Sequence, residues 1–185
     1  MEKRIATVSP DSNRLVGYAA VYGALSEDLG GFREQIRAGA FDASLAAGGD
    51  VRALFDHSTD KVLGRISNGT LRLASDKTGL RVEIDLPEGV SYANDLRQLI
   101  ARGDVNQMSF GFMVPPGGDS WERRADGVNL RTLHQIDLHE VSVVSIPAYP
   151  DTSIALRSMA EDFQRRRFDW IKRRGFIDWR ALLVN

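Results

Sequence analysis

Hydrophobic and polar positions alternate over short stretches of the chain, and glycine-containing polar turns separate these stretches. Residues 69–74 (GTLRLA) and 80–86 (LRVEIDL) show the pattern most clearly. Alternation with a period of two is typical of strands that bury one face. Five further stretches have strand-like composition, so seven strands are predicted in all; the five are residues 14–22, 51–55, 108–114, 128–133 and 141–146.

Two stretches have a helical pattern instead. Residues 91–102 carry an apolar stripe at helical spacing, and Gly103 follows as a helix stop. A shorter helix is predicted over residues 39–47. About seven short, regularly spaced strands with few helices favour a mainly β (α+β) fold, an antiparallel barrel or sandwich.

Composition narrows the classes of function. The 185 residues include 24 basic and 25 acidic side chains, and a net charge of -1 gives no overall electrostatic footprint for nucleic acid. The absence of cysteine excludes disulfides, thiolate metal sites and a cysteine nucleophile, and three histidines leave little material for zinc. No apolar run is long enough to span a membrane, and the charged N-terminus is unlike a signal peptide. We expect a soluble intracellular protein without a metal or cofactor.

Charge is distributed unevenly between the two parts of the chain. The stretch 157–185 contains eight basic and four acidic residues, whereas the preceding 156 residues carry a net charge of -5. This change predicts a boundary near residue 157. It separates a domain over residues 1–157 from a basic, aromatic tail over residues 158–185, which has helical composition.

Without cysteine, a hydrolytic nucleophile would be a serine or threonine assisted by a base. His57 follows an apolar run, so we expect it at a strand end, where a loop exposes it. An unperturbed imidazole titrates near about pH 6.5 and can therefore accept and return a proton. Ser109 lies between Met108 and Phe110 on a predicted strand, so its hydroxyl should point away from their face, with Gly111 leaving open space beside it. A loop histidine without a role and an outward-facing serine remain the alternatives.

A third member of such a site could come from residues 138–146 (LHEVSVVSI). In a regular strand Leu138 and Glu140 share one face and His139 points to the other. Only one of Glu140 and His139 could then reach His57, unless the strand starts or bulges between them. Either could orient the imidazole, and a carboxylate would do so more strongly because it stabilises the imidazolium.

A series of short motifs runs along residues 15–157. Each motif alone is unspecific, but the whole set in this order is specific for one family of proteins. The motifs are GYAAVY (17–22), FREQIRAGAF (32–41), residues 51–57 followed by LGR (63–65), GL (79–80), DLP (85–87), residues 103–112, and residues 138–149 with PAY at the end. In this order the chain resembles the prohead (capsid maturation) proteases of tailed phages, the HK97-like family, and the related proteases of gene transfer agents.

The resemblance implies a serine endopeptidase with a closed β-barrel surrounded by helices, similar to the herpesvirus assembly proteases. It places the base at His57, the nucleophile at Ser109 and the third member at Glu140. His139 remains the alternative third member, because the herpesvirus relatives use a second histidine there. By the same analogy, oxyanion donors would come from the loop around residues 148–149.

The resemblance also implies partners and a place of action. The substrate would be the scaffolding part of the major capsid protein, or a separate scaffold, together with the enzyme itself. Cleavage would occur inside the immature capsid in the host cytoplasm. The basic tail would dock on the scaffold, the portal or the capsid surface. By analogy with the herpesvirus relatives, the active form could be a homodimer. Neither a membrane nor nucleic acid is expected as a partner.

Two other functions are weighed against this one. The first is a catalytically silent scaffold or chaperone of capsid assembly with the same fold. The joint presence of His57, Ser109 and Glu140 argues against such a decayed site. The second is an unrelated β-barrel binding module whose basic tail contacts nucleic acid, which the net charge of the first 156 residues does not favour.

Overall fold

The computed structural model describes residues 13–156, which form eleven strands and two helices. The predicted tail over residues 158–185 lies outside the described residues. The helices are α1 (Asp42–Ala46) and α2 (Ser91–Arg102). The strands are β1 (Arg14–Val21), β2 (Phe32–Ile36), β3 (Arg52–Phe55), β4 (Ser58–Arg65), β5 (Leu71–Ser75), β6 (Gly79–Asp85), β7 (Gln107–Met113), β8 (Asp119–Arg123), β9 (Asn129–Leu133), β10 (Asp137–Val144) and β11 (Ser153–Leu156).

The described strands form three sheets, with the orders β11-β1-β6-β5, β4-β3-β10-β7 and β2-β9-β8. Two neighbouring pairs, β3 with β10 and β2 with β9, are parallel, and the other pairs are antiparallel. The fold is mainly β with few helices, as predicted. The prediction of one closed barrel is wrong for residues 13–156, because their sheets are open. Alternation along a strand determines which face is buried, but it carries no information about how sheet edges meet.

The predicted number of about seven strands is also too low. Four strands were not predicted, namely β2, β4, β8 and β11. Most residues of β4 and β8 are exposed or half-buried, so neither strand has the alternation of a half-buried strand. β11 has only four residues. Backbone pairing with a neighbouring strand, rather than a regularly buried face, accounts for β4 and β8. β2 and β11 do bury side chains, including Ile36 and Ile154.

The helix over residues 91–102 is confirmed at both ends. Its stripe faces the core, where Leu96 and Ile100 are buried, and Leu99 packs beside them half-buried. Gly103 adopts the left-handed conformation at φ 86°, and its N–H bonds back to the last turn. This is the usual reason for glycine after a helix. Within residues 13–156, no helix is both long and apolar enough to cross a membrane.

Candidate active site

The site is built on β10, which lies between β3 and β7 in the second sheet. One face of β10 contributes Val141 and Val143 to the core, and the other carries Glu140 and Ser142. On β7, Ser109 lies directly opposite Ser142. Directly opposed residues project to the same face, with Cβ atoms about 4.5–5.5 Å apart. Glu140, Ser142 and Ser109 therefore share one small area of the sheet.

A β-bulge decides which side chain of β10 enters this area. Leu138 pairs with Phe112 and Glu140 pairs with the next residue of β7, so His139 is an extra residue in β10. The bulge puts Leu138 in the core with Val141, on the opposite face from Glu140. The shared face of Leu138 and Glu140 expected for a regular strand therefore does not apply, because the strand has the bulge that was the stated exception. His139 is exposed.

His57 lies in the two-residue turn that joins β3 to β4, where Phe55 pairs with Ser58. Both residues of the turn, Asp56 and His57, have left-handed backbone angles, with φ at 50° and 57°. Positive φ at both central positions is the pattern of a type I′ hairpin turn. The Asp56 carboxylate accepts the N–H of Ser145 at 2.9 Å and so fastens this turn to the residues that follow β10.

The turn directs the imidazole back along β10 to the carboxylate. His57 Nδ1 lies 2.7 Å from Oε1 of Glu140, across 83 residues of sequence. The Ser142 hydroxyl donates to the other oxygen, Oε2, at 2.5 Å. The His57 side chain is 48% exposed and that of Glu140 16%, while Ser109 is 8% exposed. A shielded carboxylate thus holds an imidazole that remains accessible from solvent.

Gly111, on β7 opposite Glu140, makes room for this carboxylate. A Cβ atom at Gly111 would lie 2.6 Å from Oε1 of Glu140. The sequence predicted open space at Gly111 beside the Ser109 hydroxyl, and the Glu140 carboxylate takes up that space. Sequence reasoning missed Ser142, although its spacing of two residues from Glu140 places it on the same face.

The loop after β10 is anchored through Tyr149. This buried side chain stacks on Phe110 at 5.7 Å between ring centroids, and its hydroxyl donates to the Glu34 carboxylate at 2.5 Å. Arg131 also donates to Glu34, at 3.1 Å. Burial raises the pKa of Glu34, an effect that the bonds from Tyr149 and Arg131 oppose. Burial, and then the Glu34 charge, raise the pKa of the Tyr149 hydroxyl. The loop expected to supply oxyanion donors is therefore tied to β2 and β7.

A second serine–histidine contact lies elsewhere, between β8 and the segment after β9. Ser120 Oγ is 2.7 Å from Nε2 of His134. The other ring nitrogen of His134 is buried without a hydrogen-bond partner, so no carboxylate orients this imidazole. The pair offers a matched control for Ser109 and His57. Among the described residues, no group of three His, Asp or Glu side chains is placed to hold a metal ion.

An imidazole held by a carboxylate on the same sheet face as a serine is the arrangement that serine hydrolases use. The family model of caudovirus prohead serine proteases matches residues 2–165. The chain therefore belongs to the caudovirus prohead serine protease family, and it is a serine peptidase.

Comparison with solved structures finds viral proteases of low sequence identity. The varicella-zoster virus protease aligns at a TM-score of 0.45 and 10% identity, over 93% of this chain and 80% of that chain. The KSHV protease, solved with a hexapeptide phosphonate inhibitor, aligns at a TM-score of 0.44 and 10% identity, over 89% of this chain and 77% of that chain. Comparison with curated proteins finds no sequence match.

Proposed function

We propose that the chain is a serine endopeptidase of prohead maturation, with Ser109 as nucleophile, His57 as general base and Glu140 as the residue that orients the imidazole. The observation that carries this proposal is the 2.7 Å contact between His57 Nδ1 and Glu140 Oε1 on the sheet face that bears Ser109. Because Nδ1 is engaged, Nε2 is the nitrogen left to act as base. Glu140 takes the third position in preference to His139, which is exposed on the bulge.

In the proposed reaction, Ser109 Oγ attacks the scissile carbonyl carbon while His57 Nε2 accepts the hydroxyl proton. The same proton then passes to the leaving amine as the peptide C–N bond breaks, which leaves an acyl-enzyme. Water, deprotonated by His57, hydrolyses the ester and frees Ser109. Glu140 keeps the Nδ1–H tautomer in place and stabilises the imidazolium. The backbone around residues 148–149 is the proposed source of oxyanion donors, each worth about 10²–10³ in rate.

The proposed substrate is the scaffolding part of the major capsid protein, or a separate scaffold, together with the protease itself. Membership of the prohead protease family supports a capsid substrate. Inside an immature shell the enzyme and its substrate are confined together. High effective concentration then replaces tight binding, as it does for linked partners.

The test is co-expression with the major capsid protein of the same genome, followed by intact mass spectrometry. The wild type is compared with Ser109→Ala and with Ser120→Ala, which removes the hydroxyl of the second serine–histidine contact. We expect truncated capsid protein with the wild type and with Ser120→Ala, and full-length capsid protein with Ser109→Ala. If Ser109→Ala truncates the capsid protein at the wild-type level, the assignment of Ser109 as nucleophile is overturned. Full-length capsid protein with all three would favour the silent assembly module.

A further inference from the structure

Ser142 lies directly opposite Ser109 in the ladder and takes no part in the proposed reaction. It is fully buried. Its hydroxyl donates to Oε2 of Glu140 at 2.5 Å, while Oε1 of the same carboxylate meets His57 Nδ1 at 2.7 Å. The two oxygens of one carboxylate therefore have different partners, the catalytic imidazole on one side and a serine hydroxyl on the other.

The backbone of Ser142 is a rigid point of attachment. Ser142 pairs with Leu54 of β3 on one side and with Ser109 of β7 on the other, in the middle of the four-stranded sheet. A residue paired on both sides moves little relative to its neighbours. The hydroxyl that holds Glu140 is thus fixed to the same part of the sheet that carries the nucleophile.

Glutamate needs such a second attachment more than aspartate would. Its long side chain loses about 1.5–2 kcal/mol of rotamer freedom when it is fixed in one conformation. A single bond from a half-exposed imidazole leaves the carboxylate free to rotate about its last torsion. A second bond, at the other oxygen, sets the plane of the carboxylate and so the direction from which it meets Nδ1.

We propose that Ser142 is a positioning residue that acts on the reaction only through Glu140. The inference rests on the proposed function of His57, Ser109 and Glu140. It predicts a thermodynamic coupling: the Ser142 hydroxyl contributes to the rate when the Glu140 carboxylate is present, and it contributes nothing when that carboxylate has been removed.

The test uses a fluorophosphonate probe, which needs no knowledge of the natural cleavage site. Ser109 Oγ forms a bond to phosphorus, fluoride leaves with the electron pair of the P–F bond, and the hydroxyl proton passes to His57. Intact mass spectrometry gives the rate of labelling. We expect Ser142→Ala to label about ten- to hundredfold more slowly than the wild type, the size of a hydrogen bond to a charged group.

A double-mutant cycle separates positioning from a merely structural role. The Glu140→Ala variant reacts slowly, so its labelling is followed over longer times. In this background, adding Ser142→Ala should change the labelling rate by less than about twofold. Circular dichroism and thermal unfolding check that each variant is folded. If Ser142→Ala does not fold, Ser142→Cys replaces it in the double-mutant cycle. The thiol has a shape similar to that of the hydroxyl but is only a weak hydrogen-bond donor.

The outcomes distinguish the inference from the proposed function beneath it. Labelling of Ser109→Ala at the wild-type rate would remove the proposed function itself. If Ser109→Ala is inert and Ser142→Ala matches the wild type, only the inference is overturned. An equal loss from Ser142→Ala in both backgrounds would likewise overturn it, because the hydroxyl would then act without the Glu140 carboxylate.

Discussion

Replacing Gly111 with alanine would place a methyl group in the space that the Glu140 carboxylate now fills. The added Cβ would lie 2.6 Å from Oε1, 3.1 Å from Cγ and 3.2 Å from Cδ of Glu140. Gly111 lies inside β7 and is not among the residues with positive φ, so its backbone accepts alanine. The substitution therefore tests the position of the carboxylate and leaves every proposed catalytic residue in the chain.

The size of the effect follows from these distances. Ordinary van der Waals contact with a Cβ atom begins at 3.4 Å, so Oε1 of Glu140 must retreat by about 0.8 Å. A displacement of about 1 Å in a catalytic group costs about 10²-fold in rate. Complete loss of the orienting carboxylate sets an upper limit of about 10⁴. Oε1 is the far end of a flexible side chain, but its retreat also weakens the hydrogen bonds with His57 and Ser142. We therefore expect the free energy of unfolding to fall by about 1–3 kcal/mol.

The assay compares labelling by the fluorophosphonate probe and urea unfolding for three proteins: the wild type, Gly111→Ala and Gly49→Ala. Gly49 is the matched control, because it is exposed, has no positive φ and has open space around its Cβ position. Gly49→Ala should match the wild type in labelling rate. A wild-type labelling rate for Gly111→Ala would refute the reasoning that the reaction needs Glu140 where the structure places it.

Two further predictions concern stability. Tyr149→Phe removes one hydrogen-bond donor from the buried Glu34 carboxylate, so urea unfolding should show that the free energy of unfolding falls by about 1–3 kcal/mol. Tyr92→Phe is the control, because it removes only a bond to a backbone carbonyl, and its loss should be smaller. Equal losses from the two variants would contradict a special role for the bond to Glu34. Arg72 lowers the pKa of Asp85 to about 2, so this carboxylate stabilises the fold above about pH 4 and the contribution disappears as the pH falls towards 2. Asp85→Asn should therefore cost about 1 kcal/mol at pH 7, after allowance for solvent screening. The cost should fall to a small fraction of this value by pH 2, where about half of the Asp85 carboxylate is protonated in the folded state. A pH-independent cost would exclude the Arg72–Asp85 pair as its cause.

The sequence predicts those parts of the fold that depend on local pattern. The stripe and the stop at Gly103 give helix α2 its observed ends, and the neighbours of Ser109 indicate which way its hydroxyl points. How the sheet edges meet depends on pairing between distant segments, as for β2 with β9 and β11 with β1, whereas β4 and β8 pair with the neighbouring strands of their hairpins. No residue near β4 or β8 signals that pairing, because most of their side chains do not reach the core.

The candidate site, like the fold, has features that the local sequence predicts and features that depend on strand pairing. Residue chemistry alone narrows the third member to Glu140 or His139, and the strand period shows that only a bulge or a strand start would let both reach one site. The bulge itself comes from the pairing of β10 with β7 and is not visible in the local sequence. Gly111 contacts the Glu140 carboxylate across the ladder, so its importance becomes clear only once the register is known. Ser142 contacts the same carboxylate along β10, and its spacing of two residues from Glu140 was the signal available in the sequence.

The turn at Asp56 and His57 places stability and function in opposition at a single residue. Hairpin turns of this type favour Asn or Asp followed by glycine, and a side chain held in the left-handed region costs about 1–3 kcal/mol. Here the second position holds His57 at φ 57°. For stability alone glycine would be the better residue there, whereas the proposed chemistry requires an imidazole. Variants selected only for a higher melting temperature would thus be expected to lose the base first.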